Sequence, residues 1–532
     1  MYKKRDDKSS KKINLSYLIF KLFLNNRASN DYLSSFSTLT LSIQSSPIKF
    51  TNLLKSFQSV QLRVCLLSIN KLKTSMLQIS EFAYKSKKNW EAQATIDLKG
   101  ENPFETLTWL SEENIDWRPI YTSEDIQDIP IHEIGAAQNR VNDQKRDLIE
   151  TVYVSDNQPE TIQLANKKAL DFRSKGVNSF IFKLPPIVFS ANQLQKLIQG
   201  IKTSEVPVYW KTTDSKEIYI HQKSFSPHVL KGGILESLTY LTKEGNWQGN
   251  VSNIHHLLLQ TKEESSYKVI HASTSPFALA GGTAVQELAF FCSQWTYILD
   301  KLTDLGHSID VIVNKTIFET SLSTNYFLDI AKIRALRYLL YKIHNSYELN
   351  VHTYNPYIIG GLSEYYISPF SVHTNMLRAT SATMSGLTGG LDAVCIPTWD
   401  KIKNQTSTNE LAQRVALNTF HLIQEEALFD ASKNPSDGSY FIESLSYELI
   451  QKAWDLFIMN ESKGGFWDLY AKGEMSNTLL DSHRNRITQK NKVMVGVNKY
   501  IEEESFEIPN FSNEVTFLPN RSLPLSLIEK KD

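Results

Sequence analysis

Few side chains in this sequence have the types and spacing that metal binding or nucleophilic catalysis requires. His255 and His256 are adjacent, but no acidic or cysteine partner lies at ligand spacing from them, so a metal site is not predicted. Ser439 stands in an Asp-Gly-Ser-Tyr stretch and not in the G-x-S-x-G turn of a hydrolase. Gly281-Gly282 does not form the G-x-G-x-x-G loop that binds a dinucleotide.

The charged pairs of the sequence favour structural roles. Glu112-Glu113 and Glu425-Glu426 are interpreted as solvated loop and helix faces rather than as catalytic carboxylates. Arg334 and Arg337 are three residues apart and therefore share one helix face. We expect them to pair with acidic side chains, either within the chain or at a subunit contact, and structural pairing within the chain is the better interpretation.

The cysteines indicate a reducing compartment. Cys65, Cys292 and Cys395 are odd in number and widely spaced, which matches neither a disulfide framework nor a metal knuckle. Cys292 and Cys395 lie in apolar runs and are predicted to be buried thiols of a cytoplasmic protein.

Strand-like and helix-like segments alternate over much of the chain, and these elements must position any site. Such alternation predicts a parallel α/β fold, for which a (β/α)8 TIM barrel is the leading choice. The predicted helices are about 161–175, 283–305, 327–346, 407–429 and 445–461, and the predicted strands are 179–184, 206–210, 267–273 and 309–319.

The stretch from His352 to Asp400 shows one β/α unit in full. Asn375–Leu387 contains no proline and has apolar or small residues at nearly helical spacing. Gly389-Gly390 fits the left-handed end of that helix. The apolar run Asp392–Pro397 then predicts a buried parallel strand.

This stretch also carries a family resemblance. Its T-N-M-L-R-A-T segment, followed by Gly-Gly and a strand, resembles the late barrel segment of the methylmalonyl-CoA mutase family. The resemblance extends in order over roughly 102–500. Further matching blocks are Ala331–Leu339, Thr406–Ala427, Asn434–Trp454 and Lys492–Tyr500.

The resemblance makes the cobalt-ligating histidine of catalytic members a first test. That histidine belongs to a D-x-H-x-x-G motif on a separate flavodoxin-like domain. Here Asp481-Ser482-His483 is followed by Arg486 at the glycine position. Only 49 residues follow His483, and a domain of that kind needs on the order of 100. We therefore expect no C-terminal cobalamin-binding domain, and a surface role for His483 in a basic helix.

Two further features of catalytic members are replaced or missing. In the block that matches the family's Y-H-x-x-E-A-G-A motif, Phe277 takes the histidine position and Ala280 the glutamate position. Phenylalanine neither donates a proton nor hydrogen-bonds a thioester oxygen. Between Ile126 and Asn166 the aromatic and arginine-rich substrate segment has no counterpart. No catalytic, cofactor-binding or metal-binding residue is therefore predicted.

Composition sets the class of protein and its division into domains. The 532 residues are 41% hydrophobic and 21% charged with no net charge, which favours a soluble protein that binds neither nucleic acid nor membrane. The first 75 residues differ in composition from the rest: they hold 13 Lys and Arg, three Asp and no Glu. We expect a disordered or mis-annotated extension at 1–75, with a start at Met76, or alternatively a transit peptide.

The remaining chain is divided into three segments. An N-terminal arm is expected at 76–130, the barrel at 131–500 and a tail at 501–532.

Within the arm, Trp109, Trp117 and Tyr121 are predicted either to anchor a partner subunit or to pack on the barrel.

The resemblance implies a structural, non-catalytic small subunit. Its partner would be a catalytic large subunit that binds adenosylcobalamin, in a heterodimer that interconverts succinyl-CoA and methylmalonyl-CoA. Two alternatives stay open: an active barrel chain of another acyl-CoA mutase with a separate cobalamin-binding subunit, and a free-standing scaffold barrel.

Overall fold

The computed structural model describes residues 85–138, 146–212, 215–225, 231–237, 247–349, 356–402, 409–488 and 493–500. The extension predicted at 1–75, the start at Met76 and the tail predicted at 501–532 lie outside the described residues. The chain divides into two compact units, Met1–Ala92 and Gln93–Asp532, and the elements that concern function belong to the second.

A parallel barrel forms the centre of this second unit. Its strands are β3 (Asp147–Tyr153), β4 (Ser179–Lys183), β5 (Val208–Lys211), β6 (Gly232–Ser237), β7 (Tyr267–Ser273), β8 (Thr316–Leu322), β9 (Ile358–Leu362) and β10 (Ala393–Val394), preceded by a hairpin of β1 (Trp109–Leu110) and β2 (Asp116–Trp117). In the described residues the barrel closes in the order β10-β3-β4-β5-β6-β7-β8-β9. The (β/α)8 prediction is thereby confirmed.

Helices precede, connect and follow the strands along the chain. They are α1 (Lys87–Asp97), α2 (Pro103–Leu107), α3 (Ile131–Gln138), α4 (Pro159–Ser174), α5 (Ala191–Leu197), α6 (Ser215–Phe225), α7 (Trp247–Gln260), α8 (Ser275–Leu279), α9 (Ala284–Asp304), α10 (Ile309–Asn314), α11 (Tyr326–Ser346), α12 (Thr374–Gly389), α13 (Glu410–His421), α14 (Tyr440–Ser462), α15 (Gly465–Ala471) and α16 (Glu474–Thr488).

Local signals place several helix ends correctly. The backbone nitrogen of Gln286 donates to the Thr283 hydroxyl at 3.3 Å and so caps α9. Helix α12 ends at Gly390, whose φ of 103° is left-handed, as predicted for the Gly-Gly pair. Gly464, with φ of 107°, follows the end of α14 in the same way.

Two segment predictions were wrong. The run from Ile309 to Glu319 was expected to be extended, but it begins with helix α10 and becomes a strand only at Thr316. Ile312 and Val313 are buried on that helix, and a short apolar run fits a buried helical turn as well as a strand. The helix expected over 407–429 is α-helical only in α13 and continues as a π-helical turn, Leu422–Glu426.

The barrel has an apolar core of its own inside the strands. Along each strand of the barrel, every second side chain points toward the interior. This inner core consists of Ile149, Tyr209, Leu235, Ile317, Ile359 and Ala393, with Ile181 packed against it. A separate and larger cluster, which includes Trp210 and Trp295, fills the space between strands and helices.

Candidate functional site at the barrel mouth

The carboxyl ends of the strands surround a cavity of about 330 Å³. Its lining includes four apolar side chains that belong to the inner core or pack against it: Ile149, Ile181, Leu235 and Ile359. Loops and strand ends at this face of a (β/α)8 barrel are where such proteins bind ligands. We name this cavity, whose residues are described below, the mouth cavity.

A layer of polar side chains follows the inner core toward the mouth. Two residues beyond a core residue, the side chain returns to the same face of a strand. Lys183 follows Ile181 in β4 in this way, and Glu319 follows Ile317 in β8. Lys211 follows Tyr209 in β5 and lies in register with Lys183.

The buried His271 and the half-buried Glu319 lie in direct contact in this layer. The Nε2 atom of His271 lies 2.7 Å from Oε2 of Glu319. The hydroxyls of Ser273 and Ser275 donate to the same carboxylate at 3.2 and 3.1 Å. Burial alone would raise the pKa of Glu319, but the hydrogen bond and charge of His271 and the charge of Lys211 lower it to about 2. Glu319 is therefore a carboxylate at neutral pH.

The other ring nitrogen of His271 is buried without a partner in the described part of the chain. His271 is 3% exposed, and among the described residues its Nδ1 atom has no hydrogen-bond partner. Its side chain lines the mouth cavity. A buried polar atom without a partner is rare in a folded protein and calls for an explanation.

Lysines and a tyrosine form the rim of the mouth cavity. The Nζ atom of Lys401 donates to the Tyr153 hydroxyl at 3.0 Å and lies 4.3 Å from the centre of its ring. The Nζ atom of Lys183 lies 5.5 Å from the same ring centre. Burial raises the pKa of Glu150 to about 7, against the opposing effects of Lys401 and Lys168. Positive charge thus gathers around one aromatic ring.

Phe277 does not face this cavity. It is fully buried in the short helix α8, with its ring centre 5.7 Å from that of Phe290. Its neighbours Ser275, Pro276 and Leu279 line the cavity instead. With about 3.6 residues per turn, residues 276 and 279 share a side of the helix that residue 277 does not. The position that the resemblance assigned to a catalytic histidine therefore belongs to the core.

The expectation that His483 lies on the surface was wrong. His483 is buried in α16, and its Nδ1 atom lies 2.9 Å from the hydroxyl of Tyr365. A Cβ atom on Gly281 would lie only 2.6 Å from the Cβ of His483. Burial and the charge of Arg486 lower the pKa of His483. Periodicity did not reveal this contact because the tyrosine is 118 residues away.

Glu112 and Glu113 are also not solvated. The carboxylate of Glu113 accepts hydrogen bonds from the backbone nitrogens of Ala284 and Val285, at 2.9 and 3.0 Å. Glu113 thereby satisfies donors at the start of α9 and places negative charge at its positive end. The carboxylate of Glu112 accepts from Nε of Arg486 at 2.7 Å. The Glu425 and Glu426 side chains are exposed, as predicted.

The two arginines of α11 pair within the chain, as predicted. Arg334 pairs with Glu443 at 2.8 Å and also contacts Asp437. Arg337 pairs with Asp392 at 2.7 Å. Both guanidinium groups are buried, so each holds helix α11 in place.

The aromatic residues of the arm pack largely on the barrel unit. The ring centres of Trp117 and Tyr121 each lie 5.1 Å from that of Phe441 in α14. Trp109 stacks edge-on against Trp117 and remains 53% exposed, and Leu110 beside it is 59% exposed. Local packing thus accounts for two of the three residues, and the two residues of strand β1 stay exposed.

The remaining sequence candidates show structural environments. His255 Nδ1 lies 2.8 Å from His307 Nε2, and the described residues contain no cluster of three potential metal ligands. Cys292 is buried and Cys395 partly buried. Burial raises the pKa of Cys395 to about 12, so its thiol stays protonated. No helix in the described part of the chain is long and apolar enough to cross a membrane.

Sequence reasoning missed the polar layer of the mouth. Two signals were available in the sequence. One was a histidine in the apolar strand sequence YKVIHAS, and the other was the pair of lysines that end two successive strands. In a buried parallel strand a charged residue is out of place unless it faces a site. Neither signal indicated that His271 would meet Glu319, because the two residues are 48 positions apart in different strands.

Comparisons with known proteins agree with the fold. The family model described as Methylmalonyl-CoA mutase matches residues 239–519, more than half of the chain. The methylmalonyl-CoA mutase small subunit of Porphyromonas gingivalis is 28% identical over 81% of this chain and 71% of its own length. The large subunit from the same organism is 31% identical over 42% of this chain, a match that spans 31% of that protein. The methylmalonyl-CoA mutase of Cereibacter sphaeroides is 28% identical over 48% of this chain and 36% of its own length. The chain belongs to the methylmalonyl-CoA mutase family.

Proposed function

We propose that this chain is the small, structural subunit of a heterodimeric, adenosylcobalamin-dependent methylmalonyl-CoA mutase of the cytoplasm. Its partner would be a catalytic large subunit that binds the cofactor and interconverts succinyl-CoA and methylmalonyl-CoA. In this proposal, residues 76–130 form an arm that contacts the partner, and residues 131–500 form the barrel. The observation that carries the proposal is the match to a protein named as a small subunit, over 81% of this chain.

The geometry of His483 supports a chain that does not hold the cofactor itself. The histidine of the D-x-H sequence would have to present a free ring nitrogen to cobalt. Here His483 is only 7% exposed, and it is packed against Gly281 and Tyr365 within the chain, so its ring does not open onto a surface that could receive the cofactor. His483 therefore does not fit a cobalt ligand, and no step is assigned to cobalamin on this chain.

The mouth of the barrel supports the same division of labour. Phe277 is enclosed in the core, Ala280 is buried and has no proton-capable side chain, and neither residue lines the mouth cavity. These features argue against the alternative in which this chain is the active barrel of another acyl-CoA mutase. The exposed side chains of strand β1, Trp109 and Leu110, support a contact with a partner over a free-standing scaffold.

Co-expression with a cobalamin-binding mutase large subunit from the same genome tests the proposal. We expect a one-to-one complex on gel filtration that converts succinyl-CoA when adenosylcobalamin is added. The variant Trp109→Ser should weaken the complex, whereas Trp454→Ser, a half-buried tryptophan of α14 outside the hairpin, controls for loss of an aromatic side chain. The full chain alone should bind no adenosylcobalamin in equilibrium dialysis.

The outcomes separate the three functions. Turnover or stoichiometric cofactor binding by the full chain alone would establish an active barrel and reject the proposal. Failure of the chain to assemble with the large subunit would favour the free-standing scaffold.

A further inference from the structure

We propose that the mouth cavity is a binding site of this chain's own for a small carboxylate or phosphate anion that carries a short apolar portion. The ligand's anionic oxygens would meet His271 Nδ1 and the ammonium groups of Lys183 and Lys211. Its apolar portion would lie on the inner core. This site goes beyond the structural role proposed above and does not depend on it.

The charge of the lining favours an anion. The lining residues include Lys168, Lys183, Lys211 and Lys401 against three carboxylates, Glu150, Glu319 and Glu364. Glu319 lies 2.7 Å from His271 Nε2, and Glu150 is near the midpoint of its titration at neutral pH because burial raises its pKa to about 7. Lysine ammonium groups therefore outnumber ionised carboxylates. Like charges at one register level repel each other, and a bound anion would relieve the repulsion between Lys183 and Lys211.

His271 supplies the independent observation that points to a ligand. Its Nε2 atom lies against the Glu319 carboxylate at 2.7 Å, which fixes the orientation of the ring. Among the described residues its Nδ1 atom has no partner, although the residue is almost fully buried and lines the cavity. A buried polar ring nitrogen without a hydrogen-bond partner is costly. An anion oxygen in the cavity would satisfy it with a charge-assisted hydrogen bond.

The serine hydroxyls are available as additional donors or acceptors. The hydroxyl of Ser321 donates to that of Ser275 at 3.0 Å, and Ser275 in turn donates to Glu319 at 3.1 Å. These groups lie on or directly after β7 and β8, beside the imidazole. Such a relay can reorient when an anion arrives, because a hydroxyl rotates freely.

The floor and the size of the cavity define the rest of the ligand. Ile149, Ile181 and Leu235 line its inner end. A volume of about 330 Å³ lies at the lower end of the range of about 300–1,000 Å³ for ligand pockets. A cavity with an apolar floor and a few convergent cationic groups suits a short-chain organic acid or a small phosphate compound.

Isothermal titration calorimetry on the full chain tests the site with four probes. Glutarate and butyrate supply carboxylates with an apolar chain, inorganic phosphate supplies phosphate oxygens, and glutaramide is the neutral control. We expect at least one anion to bind with a Kd below about 1 mM, the weak end of specific binding, and glutaramide not to bind. Binding of glutarate or butyrate assigns carboxylates as the ligand chemistry, and binding of phosphate alone assigns phosphates.

Matched lysine variants locate the binding. Lys211→Met and Lys183→Met each remove one ammonium group while keeping an apolar stem, and each should weaken anion binding about tenfold or more. Lys196→Met, on the exposed side of α5, is the control and should bind like the parent chain. Thermal unfolding provides a second readout, because a ligand that binds only the folded state raises the Tm. The proposal is wrong if no anion binds the parent chain, if glutaramide binds as well as glutarate, or if both mouth variants match the control.

Discussion

The Nη2 atom of Arg337 lies 2.7 Å from Oδ2 of Asp392 and 2.7 Å from the backbone oxygen of Gly390. The same carboxylate oxygen accepts a hydrogen bond from the backbone nitrogen of Ile358 at 2.8 Å. Asp392, the residue before β10, thus joins helix α11 to the start of β9. These two strands complete the ring of the barrel, so the pair acts where the sheet closes on itself.

Removal of the charge on Asp392 should therefore destabilise the barrel. Asp392→Asn leaves the Arg337 guanidinium, whose side chain is 1% exposed, buried without its counter-charge. Breaking a buried pair from one side costs about 3–5 kcal/mol. We expect a loss of that order in the free energy of unfolding by urea. Asp468→Asn, which breaks the exposed Lys472–Asp468 pair, should cost less than about 1 kcal/mol, and equal losses in the two variants would contradict the assignment.

Glycine substitutions should distinguish backbone strain from close packing. Gly281 and Gly306 have nearly the same left-handed φ, 89° and 86°. A Cβ atom meets nothing within 4 Å at Gly306, but it would lie 2.6 Å from the Cβ of His483 at Gly281. Gly306→Ala should cost about 1–2 kcal/mol from strain alone. Gly281→Ala should cost about 1–3 kcal/mol more because packed groups must move. Urea unfolding of both variants measures the difference in their free energies of unfolding. Similar losses in the two variants would show that His483 is not packed against Gly281.

Acid should weaken the fold through His344. Its Nε2 atom accepts a hydrogen bond from the indole nitrogen of Trp295 at 2.9 Å. Burial lowers the pKa of His344 from 6.5 to about 3. The unfolded chain therefore binds a proton that the folded chain does not, in the window from about pH 6.5 down to about pH 3. The stability that this group contributes is complete above pH 6.5 and falls by about 1.4 kcal/mol per pH unit below it.

The variant His344→Phe isolates this contribution. It leaves the Trp295 nitrogen without an acceptor, so it should be less stable than the parent chain at every pH by about 1–3 kcal/mol. Between pH 7.5 and 5.5, however, its free energy of unfolding should fall less than that of the parent. Identical slopes for the two proteins would mean that His344 is not the buried neutral group described here.

Substitution of Phe277 should leave catalysis by the complex intact. Phe277→Leu keeps an apolar side chain in the core, and its destabilisation should stay below the about 3–5 kcal/mol of a truncation to alanine. If the chemistry belongs to the partner subunit, kcat of the assembled complex should change by less than about threefold. Loss of one group that contacts the transition state costs about 10²–10³-fold. A loss of that size in a complex that still assembles would place this barrel in the reaction.

Phe277→His provides the reverse test on the full chain alone. A histidine at this enclosed position is not expected to create turnover of succinyl-CoA with added adenosylcobalamin. Its ring would replace one that packs on Phe290 and would not reach the mouth cavity. Measurable turnover by this variant would show that the histidine reaches the cavity and that the chain binds the cofactor.

Much of the fold was predictable because its signals are local. The β/α alternation, the helix α11 and the end of α12 at Gly390 follow from apolar period and from glycine's access to the left-handed region. These preferences depend only on residues a few positions apart in the sequence, so they can be recognised without the tertiary structure. The segment 309–319 was mispredicted for a related reason. Its apolar run satisfies two local structures, and only the packing of Ile312 and Val313 selects the helix.

The site depended on contacts that the sequence does not display. His271 reaches Glu319 only because β7 and β8 lie side by side, and Glu113 caps helix α9 from a position 171 residues away from Ala284. His483, which its basic helix suggested to be exposed, is buried because α16 packs beside Gly281 and Tyr365. The sequence by itself determined the barrel, its family resemblance and the replacement of the catalytic motifs. Closure of the barrel decided which side chains became buried partners, since burial and pairing depend on distances in space and not on spacing along the chain.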